Sequence, residues 1–513
     1  SNVYRLYKYF FWNMPFDHLN RIVYDGWRNI HYLVKNRMVE FELKETRRGY
    51  IVKNNLPKKS DNPIIHIRPH AQKSAYAIHM NDGRIYESGN INRDANMLPQ
   101  GDWMTTQSFW INNNYFLEYI LENTMAGYVM TLGAIDDGTS ALYKGSSKQK
   151  ENLLKEYALK KCVKNGIYAT YIKNMSGASF LGTRADYLGI RPGDNIYFFF
   201  NRCIYGIGEI VGIDGTCVFE NTNGDLYKFD DNDRCPYFCL FKSTPYFFQK
   251  GVDMDEVLMS NPDAFRMLRF FHQRSFIKLD DIENKALKTF IIQKNEMNLG
   301  DFDVQKHYDA SNQENTFYDI ETQFLTNLDD YRLNALDIFD EGAKTKKYPH
   351  RISSETYVEG MILDYVKRKN RLLSYWDFIS RQYPASPAKP SEYVDFMDIF
   401  GYRYVKGYEK EGIISKYVVM ELKSKEVNKD TILQVMKYVD WICKEFAHND
   451  YSMIEAYIIG YSMDDDLLED NEDLYTRNFI KGSKHNANRG IDVETGIWKN
   501  VKFVNYVDIY NDY

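Results

Sequence analysis

The stretch "YVVMELKSKE", residues 417–426, is an apolar run that ends in an acid, a leucine and a lysine. On a strand, residues i and i+2 share a face, so Glu421 and Lys423 project together while Leu422 points away. A lysine beside a glutamate in a half-buried position stays charged and can orient a water. The carboxylate can bind a hard divalent cation through oxygen. The apolar residues ahead of the pair anchor a core strand, and the charged pair emerges at its end. The same tripeptide also occurs at Glu42-Leu43-Lys44, in "VEFELKETRR". Neighbouring segments must therefore decide which copy is a site.

Upstream of Glu421, "EYVDFMDIF" (392–400) reads as a strand carrying Asp395 and Asp398. They are odd and even along it, so only one can share the face of Glu421. Asp395 follows two apolar residues, as Glu421 does at its own apolar-to-charged step, and is preferred; Asp398 is the rival. Before them, "SSETYVEGMILDYVKRKN" (353–370) predicts a helix capped by Ser353 or Ser354. It carries Glu355 and Glu359 at i, i+4 and hence on one face. Pro384, Pro387 and Pro390 mark a loop. A helix over 429–447 carries Gln434 and Tyr438, again i, i+4, and a strand over 453–461 follows. Helix, strands, helix, strand describes an α/β sandwich around a mixed sheet.

This order of a helical Glu, an Asp strand, E-x-K and Q-x-x-x-Y resembles the PD-(D/E)XK nuclease superfamily, in its RecB-like form. The resemblance covers roughly residues 350–463 and implies a restriction-endonuclease-like domain over 351–513. In such a domain Asp395 and Glu421 would hold Mg²⁺, with Mn²⁺ as the alternative, and Asp398 is the rival ligand. Lys423 would orient or activate the attacking water, and the metal would stabilise charge on the phosphate. Gln434 and Tyr438 would support the site or touch the DNA backbone. Glu355 or Glu359 would add an outer carboxylate.

Near the other end, "FDHLNRIVYDGWRNIHYLV" (16–34) has helical spacing through Leu19, Ile22, Val23, Trp27, Ile30 and Leu33, which predicts a helix. "NPIIHIRPH" (62–70) alternates as a strand, and "QSFWINNNYFLEYILEN" (107–123) reads as a strand leading into a helix. Together with "DGRIYESG" (82–89) and "LPQGDWMTTQSFWINNNYFLEYI" (98–120), these residues resemble the C-terminal half of the Sau3AI/MutH family over roughly residues 10–123. Members act at GATC sequences. The resemblance implies an α/β DNA-recognition domain over 1–130, with His66, Arg68, His70 and Lys73 as donors to phosphates or base edges. The family's catalytic Asp and E-x-K precede the matching part, so this domain is expected to lack its catalytic half. Glu42-Leu43-Lys44 is then a structural edge. The start, "SNVYRLYKYFF", has no signal-peptide pattern and no initiator Met, which reads as a processed or engineered beginning.

Between these ends, 131–165 reads as a helical connector, and 166–294 holds short apolar strands between Gly, Asn and Asp turns, the pattern of a small β-barrel. "RADYLGIRPGDNIYFFFNRCIYGIGEIVG" (184–212) resembles PUA-like and EVE-like domains, which hold RNA or flipped modified bases in an aromatic pocket. Residues 295–350 read as a polar, partly helical linker.

The chain's 513 residues exceed one ordinary domain. Its net charge of −6 does not by itself suggest nucleic acid, but residues 1–130 carry 16 Lys and Arg against 12 Asp and Glu. "DDDLLEDNED" (464–473) reads as a solvated acidic loop. No apolar run is long enough to cross a bilayer. The six cysteines are scattered and "CPYFC" (235–239) has no complementary His or Cys pair, so all read as reduced thiols in a cytoplasmic protein. The expectation is a multidomain α+β protein acting as a Mg²⁺-dependent endonuclease of bacterial restriction or defence type on double-stranded DNA. The alternative is a non-catalytic DNA-binding subunit or fragment, or a modified-base reader, of a restriction or defence system. Cutting both strands usually pairs two sites, so a homodimer or partner subunit is expected by analogy.

Overall fold

The computed structural model describes residues 126–295 and 328–513 apart from loops, the longest of which is 222–235, and the backbone of the strands between Ile22 and Glu87. Those first strands are β1 (Ile22–Asp25), β2 (Asn29–Val34), β3 (Arg37–Thr46), β4 (Gly49–Lys53), β5 (Ile64–Pro69), β6 (Tyr76–Met80) and β7 (Ile85–Glu87). They pair in chain order as an antiparallel meander. The helix expected over 16–34 is not formed in its described part: Ile22 pairs with Tyr32 and Asp25 with Asn29 across a hairpin. Asp25-Gly26 is a strong hairpin signal, and β-branched Ile22 and Val23 favour a strand. That local chemistry outweighs a helical spacing that scattered apolar residues satisfy by coincidence. The strand expected over 62–70 is β5; the segment 107–123 lies outside the described residues.

The central body comprises β8 (Gly127–Thr131), α1 (Ser147–Asn165), β9 (Ile167–Thr170), α2 (Gly177–Gly189), β10 (Asn195–Phe200), β11 (Cys203–Val211), β12 (Val218–Glu220), β13 (Tyr237–Ser243), β14 (Val252–Asp253), β15 (Phe276–Leu279) and α3 (Asp281–Lys294). Ser146 and Gln149 cap α1 reciprocally, and Gly166 ends it in the left-handed region at φ 66°. Ala158, Leu159, Cys162 and Val163 bury that helix in the core, so it belongs to this body rather than bridging to it. The sheet runs β12-β13-β11-β10-β8-β15, with β9 beside β13 and β14 beside β11. Its outer strands β12 and β15 do not pair among the described residues, so the expected closed barrel is an open mixed sheet. Closure depends on tilt and stagger between strands, which alternation along one strand does not encode.

The third body begins with α4 (Ala335–Gly342) and α5 (Glu355–Tyr365). Strands β16 (Phe378–Pro384), β17 (Phe396–Tyr404) and β18 (Ile414–Leu422) follow. Then come β19 (Glu426–Val427), α6 (Lys429–Glu445), β20 (Ile454–Gly460) and β21 (Ser462–Met463). A ribbon, β22 (Arg477–Asn486) with β23 (Gly490–Trp498), leads to β24 (Val501–Asn505) and α7 (Tyr506–Asn511). The sheet order is β16-β17-β18-β20-β24; the first three strands are antiparallel, and β18-β20-β24 are parallel. Val358, Met361 and Ile362 of α5 share one buried cluster with Ile399, Val418, Met420 and Leu422. Ile432, Val435 and Val439 of α6 share the other with Phe400, Tyr417 and Val419. The helices thus cover opposite faces, as the expected sandwich requires, and bury β18 on both sides.

The second and third bodies are packed together. A Cβ added at Gly360 of α5 would lie 3.1 Å from Leu188 and 3.5 Å from the Ala185 backbone, so α5 and α2 meet through small residues. Polar ties flank this contact. Arg191 donates to the carbonyls of Trp376 and Asp377, Lys367 to that of Ile190, and Tyr383 to Asp280. The five described cysteines are free thiols, and no described helix is long and apolar enough to cross a membrane.

Gly401 sits mid-sheet, where an added Cβ would lie 2.5 Å from the Phe378 carbonyl oxygen. Gly401→Ala is expected to destabilise the chain by about 1–3 kcal/mol through this overpacking, read as a lower midpoint in chemical denaturation.

Candidate active site

The pairing of β17 with β18 decides which acid joins Glu421. Ile399 pairs with Met420, so the next position places Asp398 directly opposite Glu421. Directly opposed residues of an antiparallel pair share a face at close range. Asp398 Oδ2 accepts the Leu422 backbone N–H at 2.9 Å. Asp395 lies just before β17, where it pairs at 2.7 Å with exposed Lys437 instead. The preferred ligand of the sequence reading is therefore not brought to Glu421, and its rival is. Apolar neighbours along one strand could not reveal this, because register is a property of two strands.

Glu421 is 1 % exposed. Its Oε1 accepts Lys423 Nζ at 2.6 Å, and its buried Oε2 has no hydrogen-bond partner. Burial pushes the Glu421 carboxyl upward against the opposing pull of Lys423. Burial, then the charge of Glu421, pushes Asp398 up to about 8. Lys423 behaves oppositely: burial alone would lower it, but the bond and charge of Glu421 hold it above its ordinary value. Two acids forced together in a dry place, beside a lysine that keeps its proton, form a cavity of charge that a cation would relieve.

Other expected residues surround this core. Lys423 Nζ also donates to Gln434 Oε1 at 3.3 Å, and Gln434 Nε2 donates to the Tyr438 hydroxyl at 3.4 Å. Tyr438 in turn donates to the Phe396 carbonyl at 3.1 Å. The i, i+4 pair on α6 thus steadies the lysine. Glu355 Oε1 accepts the Ser424 backbone N–H at 3.3 Å. Glu359, 2 % exposed, accepts Arg381 Nε at 2.6 Å and Gln382 Nε2 at 2.9 Å. Arg381 and Gln382 had no signal in the sequence; they stand in the middle of β16, the strand that ends at Pro384. Of the residues expected to meet DNA, His66 and Arg68 lie on β5, paired with His79 and Ala77, while His70 and Lys73 are outside the described residues.

Among the described residues no cluster of three or more His, Cys, Asp and Glu side chains is placed to hold a metal ion. The fit of a divalent cation rests instead on two carboxylates. One carries an unpartnered buried oxygen and the other is destabilised by its neighbour. Mg²⁺ commonly binds through one or two carboxylates and keeps several waters.

Over 113 residues the chain is 34 % identical to the type II restriction enzyme Sau3AI of Staphylococcus aureus; the match is 21 % of this chain and 23 % of that enzyme's length. Among solved structures, a repair endonuclease from Pyrococcus abyssi matches at 22 % identity over 18 % of this chain and 36 % of that one, with a TM-score of 0.12. No family model matches the chain.

With divalent cations chelated, the folded state keeps the Asp398 proton up to about pH 8, whereas the unfolded chain releases it near the ordinary carboxylate value of about 4. The folded state therefore binds more protons inside this window, and stability falls as pH rises through it. Asp398→Asn is expected to remove up to one proton of this slope, at most about 1.4 kcal/mol per pH unit. Thermal denaturation in chelator at several pH values measures it.

Proposed function

We propose that the chain is a Mg²⁺-dependent DNA endonuclease of restriction type, whose third body hydrolyses phosphodiester bonds while the first two recognise duplex DNA. The observation that carries this reading is the opposition of Asp398 and Glu421 across β17 and β18, with Lys423 ion-paired to the buried acid. The local similarity to a restriction enzyme supports the same class of chemistry.

Asp398 and Glu421 would hold the cation, Mg²⁺ or Mn²⁺. When bound, it would acidify a water and offset charge on the phosphate. Lys423 retains its proton, so it acts as a donor rather than as a base. From its place between Glu421 and Gln434 it orients the attacking water and stabilises negative charge as it develops. Glu355 and Glu359 act as outer carboxylates, and Gln434 and Tyr438 hold Lys423 in position. Asp395, paired with exposed Lys437, takes no part.

Plasmid cleavage in Mg²⁺ tests the reading. Glu421→Ala, Lys423→Ala and Asp398→Asn are expected to lose at least about 100-fold in rate, the loss typical for one electrostatic group at a reacting centre. Asp395→Asn should cut like wild type. Equal cutting by all variants would sink the assignment. A wild-type chain that shifts duplex DNA in a gel yet never cuts it would mark the non-catalytic reading as correct. Parallel assays on plain, methylated and base-modified DNA would show whether the central body reads modification.

A further inference from the structure

On β16, Arg381 pairs with Ile399 and Tyr383 with Met397, which places Gln382 across from Asp398. Gln382, Asp398 and Glu421 therefore form one row across three strands. Neighbouring residues of a regular strand point to opposite faces. Arg381 and Gln382 nonetheless both reach the buried Glu359 carboxylate. The backbone shows how: Gln382 has φ +51°, in the left-handed region that non-glycine residues adopt at a cost of order 1–3 kcal/mol. This re-aims the carboxamide, and its Nε2 donates to both Glu359 Oε1 at 2.9 Å and Asp398 Oδ1 at 3.3 Å. Behind it, Arg381 closes on Glu359 from one side and reaches Asp186 of α2 at 3.3 Å on the other.

We propose that Gln382 is a positioning residue: its carboxamide clamps Asp398 to the fixed Glu359 so that Asp398 faces Glu421 in a metal-ready pose. The clamp rests on the endonuclease reading and deepens it. A neutral amide suits this place, because it supplies two donors between two acids without a positive charge that would compete with a cation for Asp398. The oxygens of Asp398 are then held separately, Oδ1 by Gln382 and Oδ2 by the Leu422 N–H, which fixes the plane of the carboxylate. The strain at Gln382 persists because the flanking ladder pairs and the Arg381 ion pairs over-determine the strand. Through Arg381 the same clamp is seated on the central body, so the metal-binding edge inherits its geometry from both bodies.

Two variants of the full chain separate positioning from mere structure. Gln382→Ala and Gln382→Gly both delete the carboxamide, but only glycine accepts the left-handed backbone without strain. Three quantities are measured: calorimetric binding of Mn²⁺ alone, plasmid cleavage, and melting temperature in chelator. Both variants are expected to bind Mn²⁺ about 10–100-fold more weakly, the usual loss when a metal ligand's supporting partner is removed. Cleavage should fall in kcat more than in DNA KM, and the glycine variant should melt above the alanine variant. Restoration of wild-type Mn²⁺ affinity by glycine overturns the clamp and leaves only a backbone role. Variants that match a cutting wild type overturn the clamp alone. A wild type that neither binds Mn²⁺ nor cuts overturns the endonuclease reading together with it.

Discussion

The candidate site depends on one register, that of β17 against β18. Slipping the pair by one residue would turn Asp398 away from Glu421 and place an apolar neighbour there instead. Two features hold the register. The strands are covered on both faces by helices of different clusters, so a slip would expose one apolar set and bury the wrong one. The Leu422 N–H also bonds the Asp398 carboxylate itself, which ties the acid to the strand that carries its partner. The packing of Val418, Val419 and Met420 thereby holds two acids together. Such an arrangement is unfavourable for stability alone and is typical of sites poised for a ligand.

The second dependence is between bodies. Arg381 is half-buried between Glu359 and Asp186, and the two acids hold its guanidinium above its ordinary value against the effect of desolvation. Breaking such a group by removing one partner is far more harmful than its net contribution suggests, because a buried charge is left unmatched. The hydroxyls of Tyr402 and Tyr404 meet Asp281 in the same seam, and Arg266 pairs with Glu445 while lying over the Phe446 ring. These are directional contacts, so they specify how the central sheet meets the third body more sharply than apolar packing does.

Much of the third body was legible in its sequence. The helix with Glu355 and Glu359, the Glu421 strand and the helix with Gln434 and Tyr438 emerged near their expected places, because apolar periodicity is strong there. The choice between Asp395 and Asp398 was not legible, since both fall in the one stretch that reads as a strand and only its partner's register distinguishes them. Gln382 was invisible for another reason: nothing in "SRQYP" announces a left-handed glutamine inside a strand. The error over residues 16–34 runs the other way. There a helical spacing is present, but the Asp25-Gly26 turn signal prevails over it. The open central sheet shows the same limit as the acid pair. Individual strands can be read from alternation, but whether the first and last meet cannot.

The two Glu-Leu-Lys copies make the point about context most directly. Both lie on strands, so local structure does not separate them. In β3, Glu42 stands opposite Asn29 on one side and Lys53 on the other. In β18, Glu421 stands opposite Asp398 on one side and Ile458 on the other. Among the described residues, this acid between an acid and an isoleucine, covered by helices on both faces, ion-pairs with Lys423 of its own strand. One carboxylate oxygen is then satisfied and the other is left over, as is observed for Oε2. The proposed chemistry is assigned to the second copy because its neighbours leave the charge incompletely balanced.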